Sequence, residues 1–168
     1  MKTSAYRQIR NSDLSIFNPE QFTILEAGFS LREDGYPFLS VKILDSDNTE
    51  IFSTLSADSS DVYRSVSYVN PALHPSFQSF IQDIEQQSTP EDERAYFSTV
   101  YPGVTLEVGV APFTPREYRV IIYLYHYMIM SQYQWRSGSS ISVSMMCKGD
   151  DLMNFLKELN SDLELLLS

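Results

Sequence analysis

The sequence has little of the chemistry that builds metal, cofactor or disulfide sites. Cys147 is the only cysteine, so no intramolecular disulfide can form and an oxidising compartment is not indicated. Two histidines and one cysteine, without HExxH or CxxC spacing, leave too few soft ligands for a transition metal. The six glycines are scattered and form no phosphate-binding loop. We therefore predict no metal site and no cofactor.

Basic residues are also scarce: 12 Lys and Arg stand against 22 Asp and Glu, for a formal charge of −10. Nucleic-acid binders neutralise phosphates with clustered basic side chains, and no such cluster exists here, so we predict no nucleic-acid partner. Two interpretations of the acidity stay open, the ordinary composition of bacterial cytosolic proteins or long-range attraction of a basic partner.

Long apolar segments are missing as well. The longest run, Val120 to Met130, has eleven residues, whereas a membrane-spanning helix needs about twenty. The opening residues Met1 to Arg10 carry charge but no apolar signal segment. We predict a cytoplasmic protein with no membrane association.

What is present is typical of a globular protein: 168 residues, 43% of them hydrophobic. Hydrophobic periodicity predicts a single α+β domain over residues 1–168, an antiparallel meander of about six strands with two helices covering one face. The predicted helices are Pro75 to Gln87 and Asp150 to Leu167, the second capped by Asp150 or Asp151. The predicted strands include Phe22 to Leu31 (half-buried), Pro37 to Leu44, Glu50 to Leu55, Val104 to Val110, Glu117 to Met130, and a last strand through Ile141, Val143 and Met145.

The long strand Glu117 to Met130 sorts its side chains onto two faces. Val120, Ile122, Leu124 and Met128 alternate with a second set that contains Tyr123, Tyr125 and Tyr127. Tyrosine joins a large apolar ring to a polar hydroxyl, so this tyrosine face is either a sheet surface covered by a helix or a recognition surface.

Two further groups of residues favour recognition. The polar loop Gln132 to Ser140 contains Tyr133, Trp135 and Arg136, and these residue types are enriched at binding hot spots. Between Ile43 and Tyr63 the chain has no Lys or Arg, which predicts either a solvated loop or a patch that attracts a basic partner. The acidic residues of this interval are Asp45, Asp47, Glu50, Asp58 and Asp61.

Two other patterns are better explained by structure than by chemistry. Cys147 and His126 lie on neighbouring predicted strands, where a thiolate and an imidazole would form a nucleophile pair, but both positions fit packing. The run from Asp45 to Glu50 resembles the start of a calcium loop, yet it has Glu50 where that loop needs Gly, so we favour a turn.

The C-terminal unit, Ser142-Val-Ser-Met-Met-Cys147 followed by the helix that begins near Asp150 and continues through Leu159, resembles the end of small bacterial toxin-immunity proteins of the WapI type. In these, an antiparallel sheet leads into a terminal helix with an L-x-x-F-x-x-x-L pattern. The resemblance implies a non-enzymatic cytoplasmic inhibitor that occludes the active site of a toxin, often a basic nuclease.

The expected function is therefore an acidic protein-binding module, most concretely an immunity or inhibitor protein, and not an enzyme. The predicted partner-binding residues are the tyrosine face, the Tyr133 to Arg136 loop and the acidic interval. One alternative is a small hydrolase or ligand-binding protein with a pocket between helix and sheet. Another is a phage or bacterial structural subunit that self-associates through the tyrosine face.

Overall fold

The computed structural model describes residues 2–12, 24–31, 33, 35–53, 74–99, 104–114, 116–125 and 140–168. Within these ranges, nine strands and two helices succeed one another along the chain. The elements are β1 (Lys2–Thr3), β2 (Arg7–Arg10), β3 (Ile24–Leu31), β4 (Pro37–Leu44), β5 (Glu50–Ser53), α1 (His74–Gln86), β6 (Ala95–Ser98), β7 (Val104–Val110), β8 (Glu117–Tyr125), β9 (Ser140–Lys148) and α2 (Gly149–Leu167).

The strands form two antiparallel sheets. In the five-stranded sheet, β1 and β2 both pair with β3, which is followed by β4 and β5. The four-stranded sheet has the order β6-β7-β8-β9, so each strand pairs with its neighbour in sequence. The two sheets are joined next to β9, where the Ser12 amide donates to the Met146 carbonyl oxygen at 2.8 Å and the Met146 amide donates to Asn11 Oδ1 at 3.1 Å.

One hydrophobic cluster contains buried residues of both sheets and both helices. Phe77 of α1 lies at its centre, with ring centroids 5.7 Å from Phe29 of the five-stranded sheet and 5.0 Å from Phe97 of the four-stranded sheet. Both contacts are edge-to-face, the arrangement that aromatic quadrupoles favour. Helix α2 packs on β2, β3 and β4 and also on β8 and β9, so it lies against both sheets.

The helices form where the apolar spacing predicts them. In α1 the buried residues are Phe77, Phe80, Ile81 and Ile84, and in α2 they are Leu152, Phe155, Leu156, Leu159 and Leu163. Polar contacts fix α2 to the five-stranded sheet, because Arg7 donates two hydrogen bonds of 2.9 Å to the Asp162 carboxylate.

The predicted cap of the second helix was wrong. Lys148 is the N-cap and makes no side-chain capping bond, while Asp150 and Asp151 lie in the first turn. The helix follows β9 directly, and the Gly149 amide donates to the Arg116 carbonyl oxygen at 2.8 Å. Backbone pairing thus takes the place of a side-chain cap, and the two acids still face the positive end of the helix dipole.

The predicted fold class, α+β with antiparallel strands, a helix in the middle and a C-terminal helix, is confirmed. The described residues contain more strands than the six expected, because β1, β2 and β6 add to them. The half-buried interpretation of β3 was wrong, since Ser30 and Gly28 on its second face are buried as well. Among the described residues, neither helix is long and apolar enough to cross a membrane.

Candidate binding surface

The four-stranded sheet has one buried and one largely open face. Alternation places Phe97, Leu106, Val120 and Met145 against the helices. The opposite side, which we call the outer face, carries exposed Ser98, Arg119, Ser142 and Ser144 and the half-buried Thr105, Ile121, Tyr123 and Met146. Tyr96 projects from its edge strand with 58% of its surface exposed. Tyrosine combines a large apolar ring with a polar hydroxyl, and at this position the ring is accessible to another molecule.

A buried carboxylate lies at the centre of the outer face. Glu107 points to the outer face from β7, yet its side chain is only 9% exposed because it lies among larger side chains. The Tyr123 hydroxyl donates to Glu107 Oε2 at 2.7 Å, and the Arg94 guanidinium donates to Oε1. We call these three residues the Arg94–Glu107–Tyr123 cluster.

Strand register explains how the cluster forms. Glu107 is opposite Ile121 and Thr105 is opposite Tyr123, so the tyrosine ring lies diagonally across the ladder from the carboxylate. Arg94 immediately precedes β6, the strand on the other side of β7. Its aliphatic stem lies flat on Gly109, where an added Cβ would be 3.1 Å from Arg94 Cγ. The absence of a side chain at position 109 thus leaves room for the arginine stem to lie close to the strand.

In the cluster, the Glu107 carboxylate is paired with one positive group, the Arg94 guanidinium, and one neutral donor, the Tyr123 hydroxyl. Burial by itself would raise the pKa of Glu107, but hydrogen bonds from Tyr123 and Arg94 and the Arg94 charge outweigh it, so the pKa is lowered. The hydrogen bond to Glu107, together with burial, raises the pKa of Tyr123 to about 12. The carboxylate is therefore ionised and the phenol protonated at neutral pH. This arrangement fixes three side chains in place and has no group poised for proton transfer near neutral pH.

The structure places some of the predicted site residues and leaves others undescribed. Tyr123 lies on the outer face as expected. The backbone of Tyr125 pairs with Ser140 between β8 and β9, and its side chain is not among those that the structure describes. Outside the described residues lie Tyr127, Tyr133, Trp135, Arg136, Asp58 and Asp61.

The described acids of the interval from Ile43 to Tyr63 lie on the other sheet, with Asp45 and Asp47 in the β4–β5 connection and Glu50 at the start of β5. Asp45 Oδ1 accepts hydrogen bonds of 2.9 Å from the backbone amides of Asp47 and Thr49, so Asp45 stabilises the turn. This confirms the turn interpretation of the segment. Asp47 and Glu50 are exposed. These acids therefore belong to a separate sheet from Tyr123.

The predicted packing role of Cys147 is confirmed. Its side chain is fully buried in the common core, and desolvation raises the pKa of the thiol to about 12. A thiol in this environment is protonated and inert at neutral pH. His126 lies outside the described residues.

In comparisons with protein-family models, with curated proteins and with solved structures, nothing matches this chain. The resemblance to WapI-type immunity proteins therefore stays a prediction, and the function has to be argued from the surface itself.

The sequence did not single out Glu107, Arg94 or Tyr96. Glu107 is the one charged residue in the strand Val104 to Val110, which was a usable signal, because an acid within a core strand needs a partner. Finding Arg94 and Tyr123 as those partners requires the register of three strands, which periodicity within single strands does not give.

Proposed function

We propose that the chain is a non-enzymatic, acidic protein-binding module that contacts its partner with the outer face of the four-stranded sheet. The observation that supports this most directly is the Arg94–Glu107–Tyr123 cluster on an open face. Three side chains are already fixed by mutual hydrogen bonds, so they lose little conformational freedom when a partner docks. Arginine and tyrosine are also among the residues that dominate binding energies.

The charge supports a basic partner. A net charge of −10 accelerates encounter with a positively charged protein, and this attraction weakens as salt screens it. An inhibitor that occludes a basic toxin, as bacterial immunity proteins do, would use both an acidic field and a rigid aromatic surface. We therefore propose a toxin-immunity or inhibitor role as the most concrete form of this function.

The test is a comparison of two charge-matched variants in partner capture. Ser144→Arg adds a bulky side chain at the middle of the outer face, where Ser144 is exposed and pairs with Ile121. Ser161→Arg adds the same charge on an exposed turn of α2. The tagged chain is incubated with lysate of the source organism, and captured proteins are identified by mass spectrometry. We expect a basic protein that the wild type and Ser161→Arg retain and Ser144→Arg loses.

Three further measurements complete the test. Capture should decline between about 50 mM and 500 mM salt, over which the screening length falls severalfold. The captured protein should inhibit growth when expressed alone, and co-expression with the wild type should restore it. Equal capture by both variants would contradict the proposed surface. A stable oligomer in size-exclusion chromatography with light scattering, lost in Ser144→Arg, would instead assign the outer face to self-association.

A further inference from the structure

A pocket of about 460 Å³ opens next to the outer face, between the end of α1 and the start of β6. Its volume is within the range of sites that enclose small ligands. Its lining includes three acids, Asp83, Asp92 and Glu93, together with Gln87, Arg94 and Tyr96. Tyr96 and Arg94 are shared with the surface described above, so a molecule docked on the outer face would have this pocket within reach.

The charge inside the pocket is negative. Asp83 and Glu93 are exposed and make no ion pair or side-chain hydrogen bond among the described residues. Asp92 Oδ2 accepts bonds from the Ser88 and Thr89 amides at 2.7 and 2.9 Å, and these lower the pKa of Asp92. The one basic residue of the lining, Arg94, is offset by Glu107. Three carboxylates therefore act on any group that enters.

A second, independent observation concerns Gln87. This residue is only 9% exposed, and its Nε2 donates to the Val108 carbonyl oxygen at 3.1 Å. Its Oε1 is buried and has no hydrogen-bond partner among the described residues. An unsatisfied buried acceptor is costly, by about 1–3 kcal/mol. Gln87 is one of the lining residues, so this unsatisfied acceptor lies next to the space that a hydrogen-bond donor would enter, and the carboxylates favour a donor that is positively charged.

We propose that this pocket receives the guanidinium group of an arginine side chain from the partner protein. Guanidinium fits better than ammonium, because it offers five donors in one plane and stacks on an aromatic face such as that of Tyr96. The inference rests on the proposed function, since it names the chemistry by which the partner would be recognised at the edge of the outer face.

The test uses a single-arginine peptide, acetyl-Gly-Arg-Gly-amide, titrated into the full-length chain and followed by NMR. The shifts should map to the Gln87 side-chain amide and the backbone amides of Glu93 and Arg94, with a dissociation constant on the order of millimolar. The same peptide with neutral citrulline should cause no comparable shifts, and the lysine peptide should bind more weakly. Stronger shifts of the same resonances by Ca²⁺ or Mg²⁺ would overturn the proposal in favour of a metal site.

Charge-matched variants give the control. Asp83→Asn with Glu93→Gln should weaken peptide binding about three- to tenfold, the effect of removing two partly exposed attractions. Asp47→Asn with Glu50→Gln removes the same charge from the five-stranded sheet, at the β4–β5 connection and the first residue of β5, and should leave peptide binding unchanged. An equal loss of peptide affinity in both double variants would indicate a general effect of charge and would overturn the proposed arginine site.

Failure of this inference can be told apart from failure of the proposed function. Suppose that capture of a partner is lost in Ser144→Arg but is unaffected by Asp83→Asn with Glu93→Gln. The proposed function would then stand, and the proposed arginine site would be rejected. If the arginine peptide binds but no captured partner is lost in Ser144→Arg, the arginine site would stand and the proposed function would be rejected.

Discussion

The two sheets share one core but differ in the exposure of their second faces, the faces that are directed away from that core. In the five-stranded sheet, β3 and β4 are buried on both sides: Phe29 and Val41 face the common core, while Ile24, Phe38 and Ser40 are buried on the other side. In the four-stranded sheet, the second face carries exposed serines and Tyr96. A sheet enclosed on both faces is a scaffold, whereas a sheet with one open face has surface left for another molecule.

Polar residues show this contrast most clearly. Ser30 and Ser40, on the second face of the five-stranded sheet, are buried, and within the described part of the chain Ser40 Oγ has no hydrogen-bond partner. On the four-stranded sheet Ser142 and Ser144 of β9 face solvent, and Glu107, the one buried acid among the described residues, is paired with Arg94 and Tyr123. We therefore assign the proposed binding role to the four-stranded sheet.

The largest expected effect comes from placing one charge on each sheet. Ser40→Arg would bury a guanidinium without a partner at a site that is 1% exposed, and we expect a loss of at least about 3 kcal/mol in unfolding free energy. Ser144→Arg adds the same group at an exposed site and should change stability by less than about 0.5 kcal/mol. Urea denaturation followed by circular dichroism measures both.

Ser40→Ala sharpens the same comparison. It removes a buried hydroxyl that makes no hydrogen bond to any described residue, so the substitution should be neutral or slightly stabilising. If Ser40→Arg folded as stably as the wild type, the second face of the five-stranded sheet would be open, and the distinction between the sheets would fail.

A smaller effect should follow from Tyr123→Phe, which removes one hydrogen bond to the Glu107 carboxylate. We expect a loss of about 1–2 kcal/mol at neutral pH, less than for a fully buried charged bond because the residue is partly exposed. Tyr6→Phe is the control on the five-stranded sheet, where the Tyr6 ring covers Gly28, and it should change stability by less than about 0.5 kcal/mol.

The Tyr123→Phe difference should depend on pH in a defined way. The pKa of Glu107 is lowered in the folded state, so its contribution is present above the ordinary carboxyl range and is lost as pH falls through the depressed value. The pKa of Tyr123 is raised from 10.0 to about 12, so its contribution is complete below pH 10 and is lost as pH rises towards 12. Urea denaturation at a series of pH values should therefore show a stability difference between the wild type and Tyr123→Phe that is constant at intermediate pH. The difference should decrease at both low and high pH. A difference that did not change with pH would contradict the hydrogen bond to Glu107.

Local periodicity was enough to predict much of this fold. The bounds of β4 and β7 match the predicted strands, and both predicted helices are present, each with a buried apolar side. The short strands β1 and β2 were not predicted, because they carry few apolar residues and are held by pairing with β3. Their formation depends on contacts with a distant part of the chain, and local patterns do not contain that information.

The site was predicted only in part for the same reason. Tyr123 was identified because alternation within one strand placed it on the tyrosine face. Its partners Glu107 and Arg94 come from different strands, and only the register of β6, β7 and β8 brings them together. Burial of Ser40 depends on what lies beyond the sheet, which the strand sequence cannot indicate.

The smallest expected effect compares two glycines, one on the second face of each sheet. A Cβ at Gly28 would lie 3.0 Å from Cδ1 of the rigid Tyr6 ring, and a Cβ at Gly109 would lie 3.1 Å from Cγ of Arg94. We expect Gly28→Ala to cost about 1 kcal/mol, because the ring must shift as a unit. Gly109→Ala should stay within about 0.5 kcal/mol of the wild type, because the arginine stem can bend and alanine is the better strand residue.

Urea denaturation of the single variants, and of Gly28→Ala in a Tyr6→Ala background, checks this difference. The cost of Gly28→Ala should disappear when the ring is gone, since neighbouring substitutions that share one contact are not additive. A larger cost at Gly109 than at Gly28 would mean that Arg94 is held as firmly as an enclosed ring. The outer face would then resist local rearrangement as strongly as the enclosed sheet does, and the two second faces would differ in exposure alone.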